Sequence, residues 1–189
     1  MRLLGGRLDL RKAQILVVDD SPRAMDVLCA ILRGFRVRNL VQCESVKVAA
    51  DFVKTHPVDL ILADCEMQTD DAIEFARQLR AETEGPNFTV PIVLLSAYAS
   101  RPRAMAARDA GVNMVIAKPV IPAVLLSRIE WVARTNREFV VCDSYRGPDR
   151  RLKPGVAPEG TPERRAQLLA IAAQHDKALS QSDVDSLFG

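Results

Sequence analysis

Four short, mostly apolar segments of this chain are each followed by residues that can bind a metal ion or a phosphoryl group. The segments and the polar residues after them are 15–18 with Asp19 and Asp20, 58–63 with Asp64, 92–95 with Ser96, and 115–117 with Lys118. Short apolar runs of this kind are typical of strands that are covered on both faces. Because the carboxyl ends of parallel strands meet at one edge of a sheet, we expect these side chains to lie close together.

This set of side chains predicts a site for a divalent cation and a phosphoryl group. Two carboxylates about 4 Å apart repel each other by roughly 4 kcal/mol at an effective dielectric constant of about 20. A hard cation such as Mg²⁺ removes that repulsion. Asp19 and Asp20 are therefore predicted metal ligands, and Asp64 is the predicted carboxylate nucleophile for phosphoryl transfer. Lys118 and Ser96 supply a positive charge and a hydroxyl for the phosphoryl oxygens.

The elements that position these residues alternate between strand and helix five times from Ile15 to about Arg137. Ser21 followed by Pro22 indicates a helix start, and Gly111 indicates a helix end. Strands separated by helices of this length are parallel and are joined by right-handed crossovers. We therefore predict an α/β fold with a doubly wound, five-stranded parallel sheet. This is a flavodoxin-like three-layer sandwich, followed by an irregular C-terminal extension.

Length, charge and cysteine content narrow the class of protein. The 189 residues suffice for one buried domain with an appendage but not for two full domains. A net charge of +2 favours neither DNA nor a membrane as partner. The four cysteines lack metal-ligand spacing, and no apolar stretch approaches the length of a membrane span. We expect a cytoplasmic protein with no signal peptide.

The C-terminal part of the chain has a different composition. Residues 138–160 are rich in proline and glycine and are expected to form a linker. Residues 161–189 are expected to form a helical tail, because Thr161-Pro162-Glu163 is a helix-start signal. Near the end, Val184, Leu187 and Phe188 place one small apolar stripe on a helical turn.

Four motifs occur together and in a fixed order within residues 13–137. They are Ile15-Leu-Val-Val-Asp-Asp-Ser21, Asp64 with Met67 three residues later, Ser96-Ala97, and Ala110-Gly111 leading to Lys118-Pro119. This combination resembles the receiver domain of two-component response regulators. The resemblance implies a signalling domain over residues 13–137 rather than an enzyme with turnover, although such a domain assists its own phosphorylation and dephosphorylation.

The resemblance assigns a role to each motif position. It implies that Asp64 accepts a phosphoryl group from a histidine kinase or a phosphotransfer protein. The implied Mg²⁺ ligands are Asp19, Asp20, Asp64 and the backbone carbonyl of Glu66. The groups that hold the phosphoryl oxygens, here called the phosphoryl clamp, are Ser96, Ala97 and Lys118. Pro119 is a candidate for a cis peptide bond.

The chain departs from the receiver pattern at two places. Met67 is followed by Gln-Thr-Asp-Asp-Ala rather than by proline and a later Asp-Gly, which changes the loop that carries Glu66. Val115 stands three positions before Lys118, where the family has an aromatic residue that couples to the serine. Three outcomes stay open: a phosphorylation switch, phosphorylation with a weak readout such as a phosphate sink, and a constitutive docking module. Glu66 and Tyr98 occupy positions that often set the lifetime of the aspartyl phosphate in the family.

The last residues carry a second motif. The sequence Ala178-Leu-Ser-Gln-Ser-Asp-Val-Asp-Ser-Leu-Phe188 resembles the amino-terminal peptide of the flagellar switch protein that chemotaxis receivers recognise. The resemblance implies that Val184, Leu187 and Phe188 dock on a receiver in cis or in trans, with a flagellar or chemosensory protein as partner. An inert terminus is the alternative. We therefore expect a stand-alone receiver that signals by protein–protein contact, or a scaffold whose tail recruits a partner whatever the state of Asp64.

Overall fold

The structure is a computed structural model that describes residues 2–4, 7–68, 70–82, 84–135, 137–142, 144–150 and 179–188. In chain order the elements are β1 (Arg2–Leu4), β2 (Arg7–Asp9), β3 (Gln14–Val18), α1 (Pro22–Gly34), β4 (Asn39–Cys43), α2 (Val46–Thr55), β5 (Leu60–Asp64), α3 (Ala72–Ala81), β6 (Ile92–Ser96), α4 (Arg101–Asp109), β7 (Met114–Ala117), α5 (Pro122–Arg134), β8 (Phe139–Cys142), β9 (Tyr145–Pro148) and α6 (Gln181–Phe188). Within these ranges, no helix combines the length and the apolar character that a membrane crossing requires.

The central sheet has five parallel strands in the order β4-β3-β5-β6-β7. The chain enters at β3, moves outward to β4, and then returns past β3 to β5. The winding direction therefore reverses between β3 and β5. In doubly wound sheets, ligands bind beyond the carboxyl ends of the strands at such a reversal. The predicted doubly wound α/β fold is confirmed.

Burial and helix capping explain why these segments adopt these elements. Every residue of β5 and of β6 is buried, as their continuous apolar runs predict. Ser21, Ser45 and Asp71 precede α1, α2 and α3, and each side chain accepts an N–H of the first turn of its helix. The helices thus begin at fixed residues, and this fixes the loops that carry the acids.

Two segments within the predicted linker, residues 138–160, form strands instead. β8 and β9 pair as an antiparallel hairpin, with Cys142 opposite Tyr145. The Tyr145 hydroxyl donates to the carbonyl of Pro148 at 2.7 Å, and the Arg150 guanidinium lies 3.6 Å from the centroid of the Tyr145 ring. The aromatic and β-branched composition of β8 favours a strand and outweighs the nearby proline and glycine. The rest of the expected linker and the helix predicted over residues 161–178 lie outside the described residues.

The terminal helix α6 packs against β7, the edge strand of the sheet, and against α4. Ser180 precedes the helix, where its hydroxyl donates to the Asp183 carboxylate at 2.6 Å and accepts the Asp183 N–H at 3.3 Å. This reciprocal pair caps the first turn. Val184 is 0% exposed and Phe188 is 1% exposed, whereas Leu187 is partly buried. The apolar stripe of the tail therefore faces the receiver of the same chain.

Candidate functional site

The three predicted acidic ligands converge at the carboxyl edge of the sheet. Asp19 and Asp20 follow β3, and Asp64 is the last residue of β5, the strand beside it. One carboxylate oxygen from each of the three residues lies within 4.8 Å of the other two. The parallel register of β3 and β5 is sufficient to bring them together, because both strands end at the same level.

Two of the three acids are buried, and their charges disfavour one another. Asp19 is 2% exposed and Asp64 is 5% exposed. Burial raises the pKa of Asp19, and the neighbouring Asp64 carboxylate adds to that rise, whereas the Ser21 N–H, which donates to Asp19 at 2.8 Å, opposes it. A cation between the carboxylates would reverse this penalty. The donor set consists of oxygen atoms only, which suits a hard divalent ion such as Mg²⁺.

Lys118 contributes the positive charge that the sequence predicts at this edge. Its ammonium donates to Asp64 Oδ1 at 2.6 Å. The Lys118 N–H donates to the Ser96 carbonyl at 2.7 Å, which extends the pairing of β6 and β7 by one residue beyond the strands. The peptide bond between Lys118 and Pro119 is cis. The lysine is therefore positioned by the edge strand itself and reaches Asp64 in the acidic cluster.

The other two members of the phosphoryl clamp are bonded to a side chain whose role the sequence does not reveal. Ser96 is 1% exposed, and its hydroxyl donates to Glu66 Oε1 at 2.5 Å. The backbone N–H of Ala97 donates to Glu66 Oε2 at 2.8 Å. The carboxylate of Glu66 thus engages both donors at once. The role of the Glu66 carbonyl as a metal ligand stays a prediction.

The loop after Asp64 is anchored without the proline and glycine of the receiver pattern. The N–H of Gln68 donates to Asp20 Oδ2 at 2.7 Å, and a guanidinium nitrogen of Arg103 on α4 donates to the carbonyl of Cys65. These contacts tie the loop to β3 on one side and to α4 on the other. Side-chain and backbone hydrogen bonds therefore replace the conformational restriction that proline would provide.

The terminal helix contacts a second region of interest, the face formed by α4, β7 and α5, here called the α4–β7–α5 face. The Gln181 side-chain amide accepts the Ala117 N–H at 2.6 Å and donates to the Val115 carbonyl at 3.2 Å. These are backbone groups of the edge strand, so the amide pairs with β7 as a neighbouring strand would. The residue that replaces the family's aromatic position, Val115, is therefore covered by the tail.

Polar contacts at the ends of α6 complete this packing. A guanidinium nitrogen of Arg128 on α5 forms an ion pair with Asp185, and Arg137 donates to the carbonyl of Phe188. At the other end, the Leu179 N–H donates to the Ala99 carbonyl at 2.8 Å. Of the two tail acids, Asp185 pairs with a basic residue, whereas the Asp183 carboxylate accepts from Ser180.

Sequence reasoning missed three contributors to these two regions. Glu66 was identifiable as a nearby acid, but its bidentate contact with Ser96 and Ala97 depends on a side-chain direction that no motif specifies. Arg103 on α4 carries no signal, because an arginine in an amphipathic helix normally points to solvent. Gln181 is part of the Leu-Ser-Gln motif, and that pattern was the available signal for its contact with the edge strand.

Fold and site together define an α/β domain with an acidic, cation-compatible cluster at the carboxyl edge of its sheet. The family model for the response regulator receiver domain matches residues 15–130, which is more than half of the chain. The chain belongs to this family. It is thus a response regulator receiver of the two-component type, and receiver domains are in general signalling domains rather than enzymes.

Relatives of known name share about a quarter of their residues with this chain. Chemotaxis protein CheY-3 of Vibrio cholerae is 26% identical over 122 residues, covering 65% of this chain and 92% of that protein. The CheY homolog of Campylobacter jejuni is 28% identical over 124 residues, covering 65% of this chain and 94% of that protein. The DNA-binding response regulator MtrA of Mycolicibacterium smegmatis is 28% identical, and the match covers 69% of this chain. The chain spans only 55% of MtrA.

Solved structures show the same fold. A response regulator from Chloroflexus aurantiacus superposes with a TM-score of 0.58 at 26% identity, covering 65% of this chain and 98% of that chain. Chemotaxis protein CheY4 of Vibrio cholerae has a TM-score of 0.58 at 22% identity, covering 64% of this chain and 98% of that chain. About a third of this chain lies outside each of these two matches.

Proposed function

We propose that this receiver accepts a phosphoryl group on Asp64 from a histidine kinase or a phosphotransfer protein and signals by protein–protein contact. Support comes above all from the 2.6 Å contact between the Asp64 carboxylate and the Lys118 ammonium within a cluster of three acids, two of them buried. Three carboxylates with a single lysine in contact are unfavourable for folding, so their presence at the sheet edge favours a role in binding.

The step is an in-line displacement on phosphorus. A carboxylate oxygen of Asp64 forms a bond to phosphorus while the phosphorus–nitrogen bond to the donor histidine breaks, and the leaving imidazole keeps the electron pair and takes up a proton. Lys118 would then contact an oxygen of the transferred group, and the Ser96 hydroxyl and the Ala97 N–H, which here donate to Glu66, would donate to the others. The chain's own residues thus orient the phosphoryl group in the product.

Asp19, Asp20 and Asp64, with the Glu66 carbonyl, would hold Mg²⁺, which would supply neutralisation of charge on the phosphoryl oxygens. Asp19 is kept in place by the Ser21 N–H, and Asp20 by the Gln68 N–H. Both donors are backbone N–H groups, one in the same loop as Asp19 and one in the loop after β5. The cluster is consequently preorganised before any ligand arrives.

The output is proposed to involve the terminal helix. Val184 and Phe188 are buried against the α4–β7–α5 face, and the tail motif resembles a peptide that chemotaxis receivers recognise. A tethered segment docks at an effective concentration of about millimolar, so even a weak contact is occupied in cis. A flagellar or chemosensory protein that carries a similar peptide would compete for the same face.

The test is phosphoryl uptake from acetyl phosphate with Mg²⁺, measured as a mass increase of the intact protein. We expect the wild type to gain one phosphoryl group and Asp64→Asn to gain none, because the amide is not a phosphoryl nucleophile. Asp51→Asn is the matched control, since Asp51 is an exposed acid on α2. Phosphoryl uptake by Asp64→Asn at this site would overturn the assignment of Asp64.

A second candidate function is a phosphorylation-independent scaffold with a receiver fold whose tail recruits a partner. One observation favours it: α6 is docked while the Ser96 and Ala97 donors are bonded to Glu66. The same experiment separates the two candidates. Failure of the wild type to take up phosphate at millimolar Mg²⁺, together with a folded protein, would support the scaffold.

A further inference from the structure

The Glu66 carboxylate accepts hydrogen bonds from the two donors that a phosphoryl group on Asp64 would need. Ser96 Oγ is 2.5 Å from Glu66 Oε1, and the Ala97 nitrogen is 2.8 Å from Glu66 Oε2. The hydroxyl and the N–H each have a single hydrogen to donate. An acceptor on a transferred phosphoryl group therefore has to replace Glu66 at both donors.

A carboxylate is chemically suited to this position. It presents two acceptor oxygens and a negative charge, which are the features that the clamp recognises in a phosphoryl group. The loop that carries Glu66 is also held from outside, because Arg103 on α4 donates to the carbonyl of the preceding residue, Cys65. Glu66 is consequently presented to Ser96 and Ala97 by a loop with a fixed position.

The loop from Ser96 to Ala99, which carries two members of the phosphoryl clamp, contacts the docked tail. Ala99, two residues after Ala97, is 3% exposed, and its carbonyl accepts the Leu179 N–H at 2.8 Å. Leu179 immediately precedes the capped start of α6 at Ser180. The backbone between Ser96 and Ala99 is thus fixed at one end by Glu66 and contacts the tail at the other.

We propose that the Glu66 carboxylate mimics the phosphoryl group. It competes with that group for the phosphoryl clamp, and before phosphorylation it holds in place the loop from Ser96 to Ala99, which contacts the tail. This inference rests on the proposed function of Asp64 and adds a regulator of that site. It has two consequences. Removal of the Glu66 carboxylate strengthens binding of a phosphoryl mimic, and it makes tail docking dependent on that mimic.

The first test measures the affinity of full-length protein for beryllofluoride in the presence of Mg²⁺. We expect Glu66→Ala to bind about tenfold more tightly than the wild type, because two hydrogen bonds no longer have to be exchanged. Equal affinities in the wild type and Glu66→Ala would overturn the inference and leave the proposed function intact. Absence of binding in both proteins would overturn the inference and the proposed function together.

Two control variants separate competition from a general effect of charge. Glu44→Ala removes an exposed acid just after β4, at the same edge of the sheet, and should bind beryllofluoride like the wild type. Glu66→Gln is neutral but keeps an acceptor for the Ala97 N–H, so its affinity should lie between those of the wild type and Glu66→Ala. Identical affinities of the Gln and Ala variants would show a charge effect only and would overturn the inference.

The second test uses Trp131, the single tryptophan of the chain, as a reporter of tail docking. Its ring lies 4.9 Å from the guanidinium of Arg137, which donates to the Phe188 carbonyl of the tail. Phe188→Ala gives the emission of the undocked state. We expect Glu66→Ala to emit like that variant until beryllofluoride restores the wild-type emission. Wild-type emission from Glu66→Ala without beryllofluoride would contradict the link between Glu66 and the tail.

Discussion

Buried charged side chains lie at both ends of the central sheet, and the protein compensates their loss of hydration in different ways. At the amino end, the Arg80 guanidinium is 2% exposed and sits between the loops that enter β6 and β7. At the carboxyl end lie the buried carboxylates of Asp19 and Asp64. Burial lowers the pKa of Arg80 to about 10 and raises that of Asp19. Desolvation therefore disfavours the charged form at both ends.

The difference between the two ends lies in their partners. Arg80 donates through Nε to the Gly111 carbonyl at 3.1 Å, and through its two terminal nitrogens to the carbonyls of Phe88 and Val90, each at 2.7 Å. All of its guanidinium nitrogens thus have an acceptor, and the site is complete. At the other end, Asp19 and Asp20 each accept one backbone N–H and Lys118 contacts Asp64, but the three carboxylates remain close to one another. A buried charge whose hydrogen bonds are all made stabilises the fold. Buried charges that repel one another are instead available to bind a cation.

The largest effect is expected from a substitution of Arg80, at the amino end of the sheet. Arg80→Met keeps most of the side-chain volume but removes every donor, which leaves buried carbonyls of the β6 and β7 entry loops unpaired. We expect the free energy of unfolding to fall by about 3 kcal/mol, measured by urea denaturation. Arg77→Met, on the exposed side of the same helix, should change it by less than about 0.5 kcal/mol. Similar effects of both substitutions would show that Arg80 is no more important than a surface arginine.

A smaller effect is expected where the hairpin β8–β9 closes the same end of the molecule. A Cβ on Gly147 would lie 2.6 Å from the Cα of Gly111 and 2.5 Å from the Tyr145 hydroxyl oxygen. Since Gly111 has a φ of +83°, the backbone there is already restricted. Gly147→Ala should destabilise the protein by about 2 kcal/mol, again by urea denaturation.

Gly34 provides the matched control for this substitution. It is the last residue of α1, and a Cβ there would meet nothing within 4 Å. Gly34→Ala should therefore stabilise the protein slightly, by about 0.5 kcal/mol, because alanine loses less backbone entropy in a helix. Equal destabilisation by both substitutions would rule out close packing of the hairpin as the cause.

The carboxyl end could be predicted from the sequence far better than the amino end. Asp64 and Lys118 follow apolar strands, and the topology of parallel strands is enough to bring them together. Arg80 sits beside the apolar residues of α3, where the periodicity of the helix gives no indication that its side chain is buried. Its acceptors are backbone carbonyls of loops, which have no sequence signature. The same reason explains why the hairpin packing of Gly147 was missed.

Within the candidate site, the sequence predicts where a residue lies but not the direction in which its side chain points. The sequence places Glu66 two residues after Asp64 and therefore near the site. Whether its side chain points to Ser96, to a metal or to solvent depends on the loop conformation, which Arg103 and Asp20 help to fix through hydrogen bonds to Cys65 and Gln68. Contacts between distant elements of this kind are tertiary and cannot be deduced from local spacing.

Among Arg80→Met, Gly147→Ala and Asp19→Asn, the last has the smallest expected effect, and it is expected to stabilise the protein rather than destabilise it. Asp19→Asn removes one charge from the carboxyl end while its amide oxygen can still accept the Ser21 N–H. In the presence of EDTA at neutral pH, we expect the variant to be more stable than the wild type by about 1 kcal/mol, since repulsion with Asp64 is relieved. Asp26→Asn, an exposed position on α1, should leave stability unchanged.

Millimolar Mg²⁺ should then stabilise the wild type more than the variant, because ligands of the folded state raise its stability by mass action. A loss of stability in EDTA would mean that the acids are as well satisfied as Arg80, and the contrast between the two ends would fail.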